Sequence, residues 1–327
     1  MLKRSWCAAL VVSMLLILIG SSVSSVFADS STAAGNGLSI SPLTTNVDVN
    51  SGQTQIVPIY IKNVTESEAT IEVQIDDFTA NNNETGQPLL LLNGESAPSH
   101  SLRNFITPIG NINLSAGQQQ QVNVDITIPK NTPGGGYYGA VRFIPISSST
   151  GKSITLTASV ASLILVRVSG NVIDDLKLAS LGVEQSNGSD QAIFFGNRNL
   201  QADIRFQNSG NVQEQPFGKV VLNNGNKEEG IYEVNNVMPA SNVLPGSIRK
   251  FTVSLTNVGI LGKYTLEGNF GYGVNGQLIS GSTTFYVIPL SVVIIAIVII
   301  LLILILIFVV PRLIRRHDRR VVRRARS

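Results

Sequence analysis

Val122-Asn-Val124-Asp-Ile126-Thr-Ile128-Pro129-Lys130-Asn131-Thr132-Pro133-Gly134-Gly135-Gly136-Tyr137-Tyr138-Gly139-Ala140-Val141-Arg142-Phe143 is the stretch whose reading decides the fold. Four β-branched residues at every second position make a strand with one apolar face, because successive strand side chains point to opposite sides. Pro129 and Pro133 close that strand. Three glycines then permit a turn into a second strand, Tyr138 to Phe143, so Gly134–Gly136 reads as a structural hinge. Tyr137 and Tyr138 are adjacent and must face opposite ways. One of them is expected to face solvent, which makes the pair the first candidate for a ligand contact, while core or corner packing takes the other.

Outward from this segment the same period recurs, at Val57, Ile59 and Ile61 and at Ile71, Val73 and Ile75. The run Ile154–Val168 is rich in Thr, Val and Ser and reads as one long or bent strand. The pattern breaks between Ser169 and Asp175. A second series follows, at Leu176–Glu184, Leu200–Phe206, Phe217–Leu222, Phe251–Leu255 and Tyr264–Tyr272. The halves share a plan: Ser115-Ala-Gly117 precedes the Val122 strand, and Leu244-Pro-Gly246 precedes the Phe251 strand. A repeat of about 100 residues or more is too long for a solenoid and suits two immunoglobulin-like β-sandwiches. The ectodomain is therefore expected to be all-β, with a first sandwich over 38–170 and a second over 171–287.

The two ends set the topology. Lys3 and Arg4, the apolar Ala8–Gly20 and Val26-Phe-Ala28 read as a signal peptide over 1–28, cleaved between Ala28 and Asp29. A small polar lead-in covers 29–37. Near the other end, LSVVIIAIVIILLILILIFVV runs from Leu290 to Val310 without a charge, long enough at ~1.5 Å per residue to cross a ~30 Å hydrocarbon layer as a helix. The expected transmembrane helix covers 288–310. Arg312, Arg315, Arg316, Arg319 and Arg320 follow in a basic tail, 311–327, which the positive-inside rule places in the cytoplasm. The chain is thus expected to be a single-pass membrane protein with its N-terminus outside.

Charge divides by position. Residues 29–310 hold 14 basic and 20 acidic side chains, whereas the tail holds eight arginines and one aspartate. An acidic ectodomain does not suit a nucleic-acid partner. The single cysteine, Cys7, lies in the leader, so the mature chain is expected to have neither disulfides nor thiol chemistry, a composition typical of Gram-positive surface proteins.

The residues do not converge on catalysis. The mature ectodomain has one histidine, His100, read as a solvated loop residue, and no metal-ligand spacing, phosphate loop or nucleophile elbow. Asp76-Asp77-Phe-Thr-Ala-Asn81-Asn82-Asn83-Glu84 clusters oxygen ligands that suit Ca²⁺, but it lacks the spacing of a calcium loop, and Asn and Asp read there as ordinary turn residues. No catalytic residue, metal or cofactor is expected. Sequons at Asn63, Asn83, Asn113 and Asn187 mark surface loops.

On these segments the chain resembles the WxL-interacting protein family of Gram-positive bacterial surfaces. The resemblance rests on Val47-Asp-Val49-Asn-Ser51-Gly52-Gln53 with Asn63 after the next strand, and on Ile126-Thr-Ile128-Pro129 with Pro133–Phe143. Leu200-Gln-Ala-Asp-Ile204-Arg-Phe206-Gln-Asn208 resembles the opening of the family's second domain. The resemblance implies a first domain that binds peptidoglycan and a second that binds a surface protein. The expected function is a non-enzymatic, membrane-anchored scaffold or adhesin. The alternatives are a receptor signalling through the tail and a cell-wall enzyme subunit.

Overall fold

The computed structural model describes residues 37–146, 159–186 and 188–312. The expected leader with its Ala28–Asp29 cleavage point, the lead-in up to residue 36, residues 154–158 of the long strand, the sequon at Asn187 and Arg315, Arg316, Arg319 and Arg320 lie outside the described residues.

The chain opens with β1 (Leu38–Ser41), β2 (Thr44–Val49), β3 (Thr54–Asn63) and β4 (Ala69–Ala80). Two short strands, β5 (Pro88–Leu91) and β6 (Ile112–Leu114), pair along β4, with a 3-10 turn at Arg103–Phe105 between them in sequence. β7 (Gln119–Thr127), β8 (Gly135–Ile146) and β9 (Val160–Val168) complete the group. They form a sheet β1-β3-β7 and a larger sheet β2-β9-β8-β4-β5, in which only β2 and β9 run parallel. Alternation is what closes this sandwich. Val57, Ile59 and Ile61 of β3 and Val122, Val124 and Ile126 of β7 are buried, in a register that sets Val57 opposite Val124 and Ile59 opposite Val122. Ile71, Val141, Phe143, Ile164 and Val166 meet them from the larger sheet. Each such side chain contributes ~1.5–3 kcal/mol on burial.

The second group comprises β10 (Leu176–Gln185), β11 (Ile193–Phe194), β12 (Leu200–Asn208), β13 (Phe217–Asn224), β14 (Lys227–Val234), β15 (Ile248–Ser254), β16 (Gly262–Tyr272) and β17 (Gln277–Val287). A three-stranded sheet β10-β12-β15 packs on β11-β17-β16-β13-β14, with β11 parallel to β17. Aromatic rings fill its centre: Phe206 and Phe270 meet edge to face with centroids 4.9 Å apart, and Phe194 meets Phe285 at 5.9 Å. Edge-to-face contact is the arrangement that ring quadrupoles favour.

The two sandwiches repeat one device. Asn63 ends β3 and Asn208 ends β12, and both are fully buried. Asn63 Nδ2 donates to the carbonyls of Ser67, Leu114 and Ser115 while its Oδ1 accepts from Thr65 N–H. Asn208 Nδ2 donates to Val212 and Val243, and its Oδ1 accepts from Gly210 N–H. Each side chain ties a strand end to the turn that launches the partner strand, a turn made by Gly117 and Gly246, both at φ +70°. The sequon reading of Asn63 as a surface residue is therefore corrected: its amide is spent inside the fold, out of reach of a glycan-transferring enzyme.

After β17, Ile288 and Pro289 lead into the helix α1 (Leu290–Phe308), which is apolar throughout, unburied, and long enough to cross a membrane. The fold is thus two immunoglobulin-like sandwiches followed by one apolar helix.

A candidate binding site where the two sandwiches meet

The glycine run is a close-packing device. Gly135 and Gly136 pair with Val168 and Arg167 inside the sheet, which corrects the expectation of a hinge. A Cβ on Gly134 would lie 2.6 Å from Asn171 N, and one on Gly135 would lie 3.1 Å from Asn211 O. The space that glycine leaves is taken by backbone of the second sandwich. Gly136 N–H donates to Asn211 O at 2.7 Å, and Asn211 Nδ2 reaches Gly134 O and Asn171 O. Asn211 Oδ1 accepts from Ile173 N–H at 2.8 Å, so one side chain joins β8, the connecting segment and the second sandwich.

Tyr137 and Tyr138 do alternate, yet neither stands free in solvent. Tyr138 lies on the outer face of its sheet, but Phe78, Ala140 and Leu165 cover it and leave it 3% exposed. Its hydroxyl donates to Gln213 Oε1 at 3.1 Å, and burial pushes the phenol pKa well up. Tyr137 is half-buried on the core side, packs 5.4 Å from Phe105 and donates to Pro133 O at 3.0 Å. Burial raises its pKa as well. Between them stands His100, at φ +64°, whose Nδ1 lies 2.6 Å from Gly136 O and whose carbonyl accepts from Tyr138 N–H. His100 is a bonded part of this corner, which corrects its reading as a solvated loop residue.

A cleft of about 280 Å³ opens beside Tyr138's cluster. Phe78, Pro88, Leu163 and Leu165 give it an apolar wall from the first sandwich, and Pro239, Leu244 and Arg249 come from the second. Arg249 Nη1 donates to Asn242 O and Nη2 to Ser241 Oγ, and the guanidinium lies 5.3 Å from the centre of the Phe251 ring. Its Nε is buried without an acceptor, and burial lowers its pKa. Gly86 closes over it, since a Cβ there would fall 2.2 Å from the guanidinium. A desolvated guanidinium beside an apolar wall is suited to a carboxylate that carries an apolar or amide neighbour.

On another side, a more polar cleft of about 550 Å³ is lined by Asn46, Asp48, Arg167, Gln213, Glu214 and Phe217 among others. Glu214 is buried, and its carboxyl pKa is pushed up to about 8, first by burial and then by Asp174; Arg167 works the other way. Asp174 is bound to Arg167 at 2.8 Å.

The carboxylates that sequence reading offered to a metal are committed elsewhere. Asp77 accepts backbone N–H bonds from Ala97, Leu102 and Arg103, and Asp76 pairs with Arg142 at 2.8 Å. Asn81 and Asn83 accept from backbone two residues on, which is ordinary turn chemistry. Glu184, Asp190 and Asp203 converge closely enough to suggest a cation. That place is filled by Lys250 Nζ, 2.7 Å from Glu184 and 3.2 Å from Asp203, and by Arg205 Nη1, 2.7 Å from Asp203. Arg205 Nε also reaches Glu84 of the first sandwich at 2.8 Å, and Lys250 N–H donates to Glu84 O. The cluster is an ion-pair network that holds the 81–86 loop. Burial chiefly raises Asp203, to about 6, against the hydrogen bond from Lys250.

Residues 46–145 match the family described as WxL Interacting Protein, peptidoglycan binding domain. The first sandwich is similar to that family. The match spans β2 to β8 and includes Gly134–Gly136, Tyr137 and Tyr138, while the second sandwich lies outside it. Among solved structures, the class 5 fimbriae chaperone CfaA is 13% identical, with a TM-score of 0.35 over 77% of this chain and 99% of that one. The E. coli chaperone DraB is 13% identical, TM-score 0.33, over 76% and 96%. A protein of unknown function from Porphyromonas gingivalis W83 is 12% identical, TM-score 0.31, over 76% and 99%. No curated protein matches the chain.

Arg249, Glu214 and Asn211 escaped sequence reading. Each takes part of its setting from a distant segment, Gly86 over Arg249, Asp174 beside Glu214 and Gly134 beside Asn211, and no local pattern marks them.

Proposed function

We propose that this chain is a non-catalytic binding protein of the cell surface, held by α1 in the membrane, with its first sandwich on peptidoglycan and its second on a surface protein. The match of residues 46–145 to a peptidoglycan-binding family carries this reading. In it, the leader is removed between Ala28 and Asp29, residues 38–170 and 171–287 act as two immunoglobulin-like domains, and the tail from residue 311 lies in the cytoplasm. The arginines after α1 support that orientation, because basic residues beside a span stay on the cytoplasmic side.

The 280 Å³ cleft supports the wall half of the reading, since peptidoglycan stem peptides are amide chains bearing free carboxylates, the groups that Arg249 is disposed to hold. Tyr137, on the opposite face of β8 from the cleft, is proposed as a separate aromatic contact, and Tyr138 is buried beside the cleft as support for its wall. The test is co-sedimentation of the detergent-solubilised full chain with purified peptidoglycan. Binding above an albumin control, weakened about tenfold by Arg249→Gln, is expected. A chain that stays in the supernatant would remove the wall-binding half, and normal binding by the variant would move the site away from Arg249.

A further inference from the structure

The end of the second sandwich next to α1 is ringed by exposed apolar side chains. Phe195 is 62% exposed, Ile260 71%, Leu261 58% and Ile193 49%. The register puts them at one level: Ile193 lies opposite Tyr286, Phe194 opposite Val287, and Gly262 opposite Val287, so Phe195, Ile260 and Leu261 extend past the strand ends. Ile288 N–H donates to Phe194 O at 2.8 Å, and Asn197 Nδ2 donates to Val258 O at 2.7 Å, which ties the two loops together. Exposed Arg198 and Lys263 stand beside them.

Connectivity decides what this rim meets. From Val287 to Leu290, the first residue of α1, there are three backbone steps, at most about 11 Å of extended chain. If α1 spans the bilayer, the end of β17 lies that close to the hydrocarbon layer, and residues projecting beyond it reach the headgroup zone, which is several Å deep. We infer that Ile193, Phe195, Ile260 and Leu261 form a second membrane contact that inserts into the outer-leaflet interface and seats the base of the second sandwich on the lipid. Apolar side chains with an aromatic residue, Tyr286 at 41% exposure, and two cations that reach toward phosphates are the composition such a zone selects. In water the same rim would be an unexplained apolar patch.

The inference rests on the anchoring proposed for α1, and the experiment separates the two. The chain has one tryptophan, so Trp6→Phe provides a tryptophan-free background for the full chain in phospholipid vesicles. Single tryptophans are placed by Phe195→Trp and Leu261→Trp in the rim, by Ile299→Trp in α1, and by Leu278→Trp. Leu278 lies ~30 Å from Val287 along β17 and is 87% exposed. Emission is read against lipids spin-labelled near the headgroup, lipids labelled at the bilayer centre, and aqueous acrylamide. The expected pattern is quenching of Phe195→Trp and Leu261→Trp by at least half by headgroup-level labels, with a blue shift on vesicle addition. Ile299→Trp responds to central labels and Leu278→Trp to acrylamide alone. If Ile299→Trp responds while both rim tryptophans remain open to acrylamide and blind to lipid, the anchor stands and the inference is overturned. Rim tryptophans shielded from both quenchers would assign the rim to a protein contact and overturn it too. If Ile299→Trp ignores the central labels, the anchor has failed and the inference falls with it.

Discussion

Asn63 and Asn208 show how much one buried amide can hold. Removing either side chain takes a donor from two or three carbonyls and the acceptor from one N–H. Ser67 O, Ser115 O and Val243 O keep a second donor, whereas Val212 O and the Thr65 and Gly210 N–H groups lose the bond that Asn supplied, and each group left unpaired in the interior costs about 1–3 kcal/mol. Asn63→Ala and Asn208→Ala are each expected to lower unfolding free energy in urea by about 3 kcal/mol. Asn113→Ala, at an exposed sequon whose Oδ1 only accepts from Thr70 on the surface, should change it by about 0.5 kcal/mol or less. Equal effects at all three positions would contradict the structural role. The tyrosine pair divides in the same way. Tyr138→Ala empties a packed site between Phe78 and Leu165 and should cost about 3–5 kcal/mol, whereas Tyr137→Ala should cost less and mainly weaken peptidoglycan co-sedimentation. Early melting of both with unchanged binding per folded molecule would make Tyr137 a packing residue only.

Among the elements, strands with a clean apolar period were legible in the sequence, and those without one were not. β3 and β7 announce themselves because one face is buried in a single core, so polar and apolar residues alternate. β17 reads Gln-Leu-Ile-Ser-Gly-Ser-Thr-Thr-Phe-Tyr-Val, and β14 opens Lys-Glu-Glu-Gly; sheet pairing imposes what their side chains do not show. The glycines opening β8 looked like a turn for a related reason. Their requirement comes from Gly170, Asn171 and Asn211, far along the chain, and a local reading registers only their freedom. Gly134→Val should therefore strain the passage between the sandwiches and lower the melting temperature by about 5 °C or more. Gly117→Ala, whose Cβ would meet open space, carries only the left-handed backbone cost, about 1 kcal/mol. A Gly134→Val chain that melts like the parent would refute the close approach.

Over the whole molecule, charge buried between the sandwiches makes stability depend on pH. Glu214 titrates near 8 in the folded chain against an ordinary 4.5, and Asp203 near 6 against 3.8. Between those values the folded chain holds a proton that the unfolded chain has released, so stability falls as pH rises, from about 4 to 6 for Asp203 and from about 4.5 to 8 for Glu214. The chain is expected to melt several degrees higher at pH 5.5 than at pH 8.5, and Glu214→Gln should flatten the slope between pH 6.5 and 8. A rising melting temperature over that range would reverse the assignment.

The function assigned to the first sandwich is open to a domain-resolved measurement: amide hydrogen exchange of the full chain in vesicles, with and without a soluble peptidoglycan fragment. Added protection is expected in 46–145, concentrated at the Phe78–Pro88 wall of the cleft and at Tyr137, with a smaller patch at Ser247–Arg249. No protection at saturating fragment, or protection confined to β10–β17 away from the cleft, would contradict wall binding by the first sandwich.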